Sequence, residues 1–122
     1  MMSQVGFAQP KEDDYTEAIA KSMPGSTTQF ILPDGTRPDI LQQDIVWEVE
    51  WLDKYDAALS QSLRYAMKTG NEPGIIFLIR SKPEKTKRDM RDALIPISYV
   101  RGLGATIHVR FIDVRDIEIG EK

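Results

Sequence analysis

The stretch IVWEVEWLDKYDAAL, residues 45–59, decides how this chain is read. Its first seven residues alternate in the manner of a strand, with Ile45, Trp47, Val49 and Trp51 on one face and Val46, Glu48 and Glu50 on the other. Glutamate is a poor strand former and costly to bury. Glu48 and Glu50 therefore either face water, or serve chemistry where they stand. From Asp53, a residue suited to capping, a helix is expected to run to Thr69, with Gly70 as its stop. Its apolar positions, Tyr55, Ala58, Leu59, Ser62, Leu63, Ala66 and Met67, recur with a 3.6-residue period.

Working outward, residues 12–22 read as a first helix with acidic residues in its opening turn. TTQFIL (27–32) and RPDILQ (37–42) read as strands on either side of the turn PDGT. PGIIFLIR (73–80) is nearly unbroken in hydrophobicity, as expected of a strand covered on both faces. Helix is expected around 86–94, broken near Pro96 and resumed briefly to Gly102 or Gly104. TIHVRFIDV (106–114) closes as a strand. The order α-β-β-β-α-β-α-β predicts an α/β (α+β) domain, with hairpins first and right-handed parallel crossovers after. A central mixed sheet would be flanked by helices. One domain over 11–114 is expected, with tails at 1–10 and 115–122.

Composition bounds the function. The chain has 122 residues, 41% hydrophobic and 29% charged, and no cysteine, which excludes disulfides and thiolate metal sites. No stretch reads as a signal peptide or a membrane span, so a cytoplasmic protein with no membrane partner is expected. The net charge of −3 argues against a protein that simply coats nucleic acid. Residues 80–91 are the exception, with six basic and two acidic side chains. Arg80, Lys82, Lys85, Lys87, Arg88 and Arg91 could track a phosphate backbone, and a solvated helix face would read the same. No Ser-His-Asp set, phosphate-binding loop or dinucleotide fingerprint is present. His108, the sole histidine, reads as a strand packing or surface residue.

The acids are spaced for another chemistry. Mg²⁺ takes oxygen ligands, commonly one or two carboxylates completed by water and phosphate. If 39–42 and 44–50 form a tight hairpin, Asp39 approaches Glu48, and the backbone carbonyl of Val49 becomes a further donor. The set RPDIL (37–41), WEVEW (47–51) and QSLRY (61–65) resembles the PD-(D/E)xK nuclease superfamily. Gln61 and Tyr65 are similar to the Gln-x-x-x-Tyr of its RecB-type branch, and the element order matches the restriction-endonuclease-like αβββαβ core. The resemblance implies a nuclease that hydrolyses DNA phosphodiester bonds with Mg²⁺ or Mn²⁺, with Asp39, Glu48, Val49 and Glu50 at the metal. Glu50 stands where the family usually has lysine, so Lys54 or Gln61 would assist catalysis. Tyr65 would brace Gln61, and Glu17 falls where many members place a further acid. Resemblance to small junction-cleaving members, and the few DNA contacts one small domain offers, suggest a homodimer. The alternatives are a catalytically inactive nucleic-acid-binding module on this fold, or an acidic protein-interaction module.

Overall fold

The computed structural model describes residues 9–119. Most of the tail expected over 1–10, and the end of that expected over 115–122, lie outside the described residues. Three helices and five strands follow in the order α1 (Glu12–Lys21), β1 (Ser26–Thr27), β2 (Ile40–Gln42), β3 (Ile45–Trp51), α2 (Tyr55–Thr69), β4 (Glu72–Ile79), α3 (Pro83–Gly102) and β5 (His108–Asp113). The strands form one mixed sheet in the order β1-β2-β3-β4-β5. The β1–β2 and β2–β3 pairs are antiparallel, and the β3–β4 and β4–β5 pairs are parallel. The expected fold class is the one observed.

The alternation in β3 sorts the layers. Trp47 and Val49 pack with Ile19, Ala20 and Met23 of α1 and the turn after it, and with Ile40, Ile76 and Leu78. On the opposite face Ile75 and Phe77 meet Ala58 of α2 and Ala93 and Ile97 of α3. β4 is thus covered on both faces, as its unbroken hydrophobicity predicts. Gly74 lies beside Trp47 in the β3–β4 register, and a Cβ there would come within 2.6 Å of the Trp47 ring. Only glycine leaves room for the indole to cross this strand.

The hairpin that matters for the site is tight. Gln42 pairs with Ile45, leaving Gln43 and Asp44 as a two-residue loop, with Gln43 at φ 53°. That register carries Ile40 opposite Trp47 and places Asp39 beside Glu48 and Val49.

Four expectations need correction. The strand over 27–32 ends at Thr27, because Leu32 is drawn off the sheet into contact with Val46 and Tyr65. A turn closed by Leu32 N–H to Thr36 O (2.8 Å) and the Lys68–Asp34 ion pair (2.7 Å) fix that excursion. The helix over 83–102 is continuous through Pro96, since Ala93 and Ile97 anchor it in the core on both sides. Asp53 does not cap α2. It sits in a 3₁₀ turn, Leu52–Lys54, with its carboxylate 4.0 Å from Arg80. Met67, read as part of the buried stripe of α2, is 85% exposed. Gly70 ends α2 in the left-handed conformation, as expected. Beyond β5, Val114 and Ile117 pack against the α1 layer, so contacts continue into the stretch expected as a tail. Among the described residues no helix is long and apolar enough to cross a membrane.

Candidate functional site

Four carboxyl groups line a cleft of about 450 Å³ between β3 and α2: Glu12, Asp39, Glu48 and Glu50. Val49, Gln61 and Tyr65 line the same cleft, as do Arg37 and Arg64. Glu48 and Glu50 arrive there because they share a face of β3 with Val46, which packs on Tyr65 of α2, and Glu12 reaches the same cleft from the start of α1. Asp39 arrives through the hairpin register. Gln61 and Tyr65, four residues apart on α2, share a helix face. Tyr65 is buried and its hydroxyl donates to the Arg37 carbonyl at 3.4 Å, so it braces the segment leading to Asp39.

The carboxyls form two pairs. The Asp39 N–H donates to Glu48 Oε2 at 3.3 Å, and Asp39 Oδ2 accepts from the Val49 N–H at 2.8 Å. Glu48 is only 8% exposed. Burial, and then the charge of Asp39, push its carboxyl up to about 9. Burial also raises Asp39, opposed by the Val49 hydrogen bond. Both carboxyls of the pair are thus held toward the protonated form, burial being the first cause for each. In the second pair Glu12 is pushed up to about 8, first by burial and then by its hydrogen bond with Glu50. The Glu50 carboxylate also accepts the Trp51 N–H at 2.8 Å, where β3 ends. Glu48, buried with no ion pair to a cation among the described residues, is held toward its protonated form.

Glu12 is the residue that sequence reasoning missed. The expectation that Glu17, five residues on, supplies the acid of the first helix does not hold. Glu17 is exposed and does not line this cleft; it borders a small pocket with Thr28, Gln29 and Pro38, which Asp39 also lines. Five residues along a helix turn a side chain by about 140°, so both cannot face one cleft. The crowding of Glu12, Asp13 and Asp14 in the first turn is a visible signal, but it reads equally as complement to the helix dipole.

Other expected site residues are placed as follows. Lys54 is exposed and does not line the cleft, although its charge opposes the upward shift of Glu12. Arg64 does line it, and donates to the side-chain oxygen of Gln61. None of Arg80, Lys82, Lys85, Lys87, Arg88 and Arg91 lines the cleft. The Arg80 guanidinium stacks 4.0 Å from the Trp51 ring centroid, and Lys85 pairs with Asp89 at 2.5 Å. Trp51 is thereby engaged by Arg80 on one side and by the edge-on ring of Tyr15 on another. His108 pairs with Glu72 at 2.8 Å at the sheet surface, away from the acids.

A metal ion sets its own demands on this donor set. Among the described residues no three Asp, Glu or His side chains are grouped as a ready cage. Mg²⁺ does not require one, since it is commonly held by one or two carboxylates with water and phosphate. Asp39, half-buried, and Glu48, buried beside it, form no ion pair with a cation among the described residues and fit that smaller requirement.

Set beside known protein families, curated proteins and solved structures, the chain matches none of them, so the functional reading rests on the chemistry of this cleft.

Proposed function

We propose that this protein is a metal-dependent nuclease of the PD-(D/E)xK type, hydrolysing phosphodiester bonds in DNA. The observation that carries the reading is the Asp39–Glu48 pair, a half-buried and a buried carboxyl joined across a hairpin in the lining of one cleft. Asp39 and Glu48 would hold Mg²⁺ or Mn²⁺, with the Val49 backbone beside them. The ion would supply charge neutralisation at the phosphate and a more acidic bound water. Glu48 would release its proton to solvent as the ion binds. Glu12 and Glu50 form the second carboxyl pair, placed to take a proton from an attacking water. Gln61 is positioned by Arg64 to hydrogen-bond that water or a phosphate oxygen. Arg37 and Arg64 supply the positive charge that lysine gives elsewhere in the family, and the exposed Lys82 and Lys87 extend it along the duplex.

A second reading is favoured by Glu50. It stands at the usual lysine position, yet it bonds the Trp51 N–H and pairs with Glu12. A chain that has turned this position to structural use fits a non-catalytic nucleic-acid-binding module on the same fold.

The test is cleavage of labelled single-stranded, duplex and four-way DNA in Mg²⁺, Mn²⁺ or chelator, beside Glu48→Gln. Metal-dependent cutting lost in the variant is the expected result. DNA binding that is indifferent to chelator, with no cutting of any substrate, would select the second reading.

A further inference from the structure

Helices α2 and α3 lie on one face of the sheet because β3, β4 and β5 follow one another in a single direction, so that right-handed crossovers fall on the same side. Among the described helices α1 alone serves the other face, and it packs over β1 and β3. The β5 end of that face carries no helix. Ile112 of β5, beside Leu78 in the register, and Ile117 beyond it pack on the flank of the α1 layer. Between α1 and residues 112–119 a groove of about 1180 Å³ remains. Half-buried Ala18, Ile112, Ile117 and Ile119 make its apolar part. Glu17, Asp116 and Glu118 add exposed carboxylates to the lining. Asp14 also lines it, with its carboxylate accepting from the Lys11 N–H at 2.8 Å.

We infer that this groove docks an amphipathic helix of a partner protein, aliphatic on one side and basic along its flanks. Position, size and charge select this occupant. The groove lies where a second helix beside α1 would complete the layer over β5. A helix is about 10 Å across and rises about 5.4 Å per turn, so the space takes roughly three turns. A helix also arrives with its backbone hydrogen bonds made internally, and leaves few unpaired groups against the isoleucines. Lys21 is the one cation in the lining among the described residues, and Arg115, next to Asp116 in the chain, is paired with Asp113. The surplus of carboxylates repels phosphate, so neither nucleic acid nor an anionic lipid surface fits here. Lysine or arginine flanking an apolar helix face does fit. A contact a few turns long belongs among small, reversible interfaces. The groove shares no lining residue with the acid cleft, so its occupant is independent of the nuclease reading.

The test uses the full chain and a fluorescein-labelled peptide of about 14 leucine and lysine residues, with the leucines on one helical face. A scrambled peptide of the same composition is the control. Fluorescence anisotropy should show saturable binding of the first peptide, at least about tenfold tighter than the scrambled one. Amide shift changes in ¹H–¹⁵N spectra should centre on residues 17–22 and 112–119. Glu17→Lys combined with Glu118→Lys should weaken binding at least about tenfold, with unchanged far-UV circular dichroism. The same charge change on α3, Glu84→Lys with Asp92→Lys, should leave it within about twofold. No binding, equal binding of the two peptides, or binding that survives the Glu17 and Glu118 reversal overturns the inference. So do shift changes centred on the Asp39–Glu48 cleft. Groove shifts that grow with protein concentration in the absence of peptide would assign the groove to a second copy, and contacts from residues 1–8 would assign it to this chain's own N-terminal segment. Either result overturns it as well.

Discussion

Asp39 and Glu48 clasp each other across the β2–β3 hairpin, with the Asp39 N–H donating to the Glu48 carboxyl at 3.3 Å and the Asp39 carboxylate accepting from Val49, the next residue, at 2.8 Å. The clasp makes stability depend on pH. Glu48 rises from its ordinary 4.5 to about 9 in the fold, and Glu12 from 4.5 to about 8. A carboxyl raised by folding binds its proton more tightly in the native state. Its contribution is complete below pH 4.5 and is lost as pH rises toward 8 or 9. The metal-free protein should therefore melt lower at pH 8.5 than at pH 5.5, by on the order of 5 °C or more. Glu48→Gln, which keeps the shape without the titration, should flatten that slope. Mg²⁺ or Mn²⁺ should raise Tm more at pH 8.5 than at pH 6, because binding displaces the proton. A Tm independent of pH from 5.5 to 8.5 would show that no buried proton is held at this pair.

Glu12 and Glu17 separate two accounts of the first helix. Glu12 lines the cleft and is hydrogen-bonded with Glu50, whereas Glu17 borders another pocket. Under the proposed function, Glu12→Gln should lower metal-dependent cleavage by about 10- to 100-fold, the range of a single general acid–base or outer ligand group. Glu17→Gln should leave it within about twofold. Steady-state cleavage rates of the two variants, measured side by side, decide between them. Equal losses would mean that both acids act through Asp39, which each of their pockets borders.

The fold and part of the cleft were legible in sequence for reasons that can be named. The 3.6-residue period of α2 reflects burial on one face, and the period of two in β3, which is covered on both faces, separates Trp47 and Val49 from Val46, Glu48 and Glu50, so the shared face of the two glutamates followed directly. The hairpin placing Asp39 by Glu48 followed from the short spacing between two strand patterns. Glu12 was not legible because three consecutive acids open α1, and only the helix phase relative to the sheet says which one turns inward. Residues 28–32 misled because β-branched and aromatic types suit a strand, while the buried contact of Leu32 with Tyr65 and Val46 is a tertiary choice. Pro96 misled for the same reason, since local backbone preference lost to two core anchors. Among the cations, the sequence run at 80–91 drew attention away from Arg37 and Arg64, which lie far apart in the chain and meet only in the fold.

Gly74 tests the packing that sets the β3 face. A Cβ there would lie 2.6 Å from Trp47 Cε3 and 2.8 Å from Ile45 Cγ2. Trp47 is 5% exposed and wedged against the α1 layer, so the ring has little room to withdraw. Gly74→Ala should destabilise the protein by about 1–3 kcal/mol, the usual cost of overpacking a core. Chemical denaturation should show a lower midpoint with an unchanged slope. A midpoint equal to wild type would mean that the indole can move aside without cost.

Pro96 offers the opposite case, a substitution expected to stabilise. Within α3 it has no N–H to donate to the Asp92 carbonyl, and its ring crowds that carbonyl. The helix persists because Ala93 and Ile97 hold it to the sheet on both sides of the defect. Proline in a helix interior costs about 3 kcal/mol against alanine, part of which relaxation and its restriction of the unfolded chain offset. Pro96→Ala should restore the hydrogen bond and raise stability by about 1–2 kcal/mol. Because Pro96 does not line the acid cleft, the same variant should leave DNA cleavage unchanged. Hydrogen exchange at the backbone amide that Pro96→Ala introduces supplies the direct readout: a protected amide with a raised Tm is expected. A protected amide with no gain in Tm would show that α3 already bends to accommodate proline at little cost.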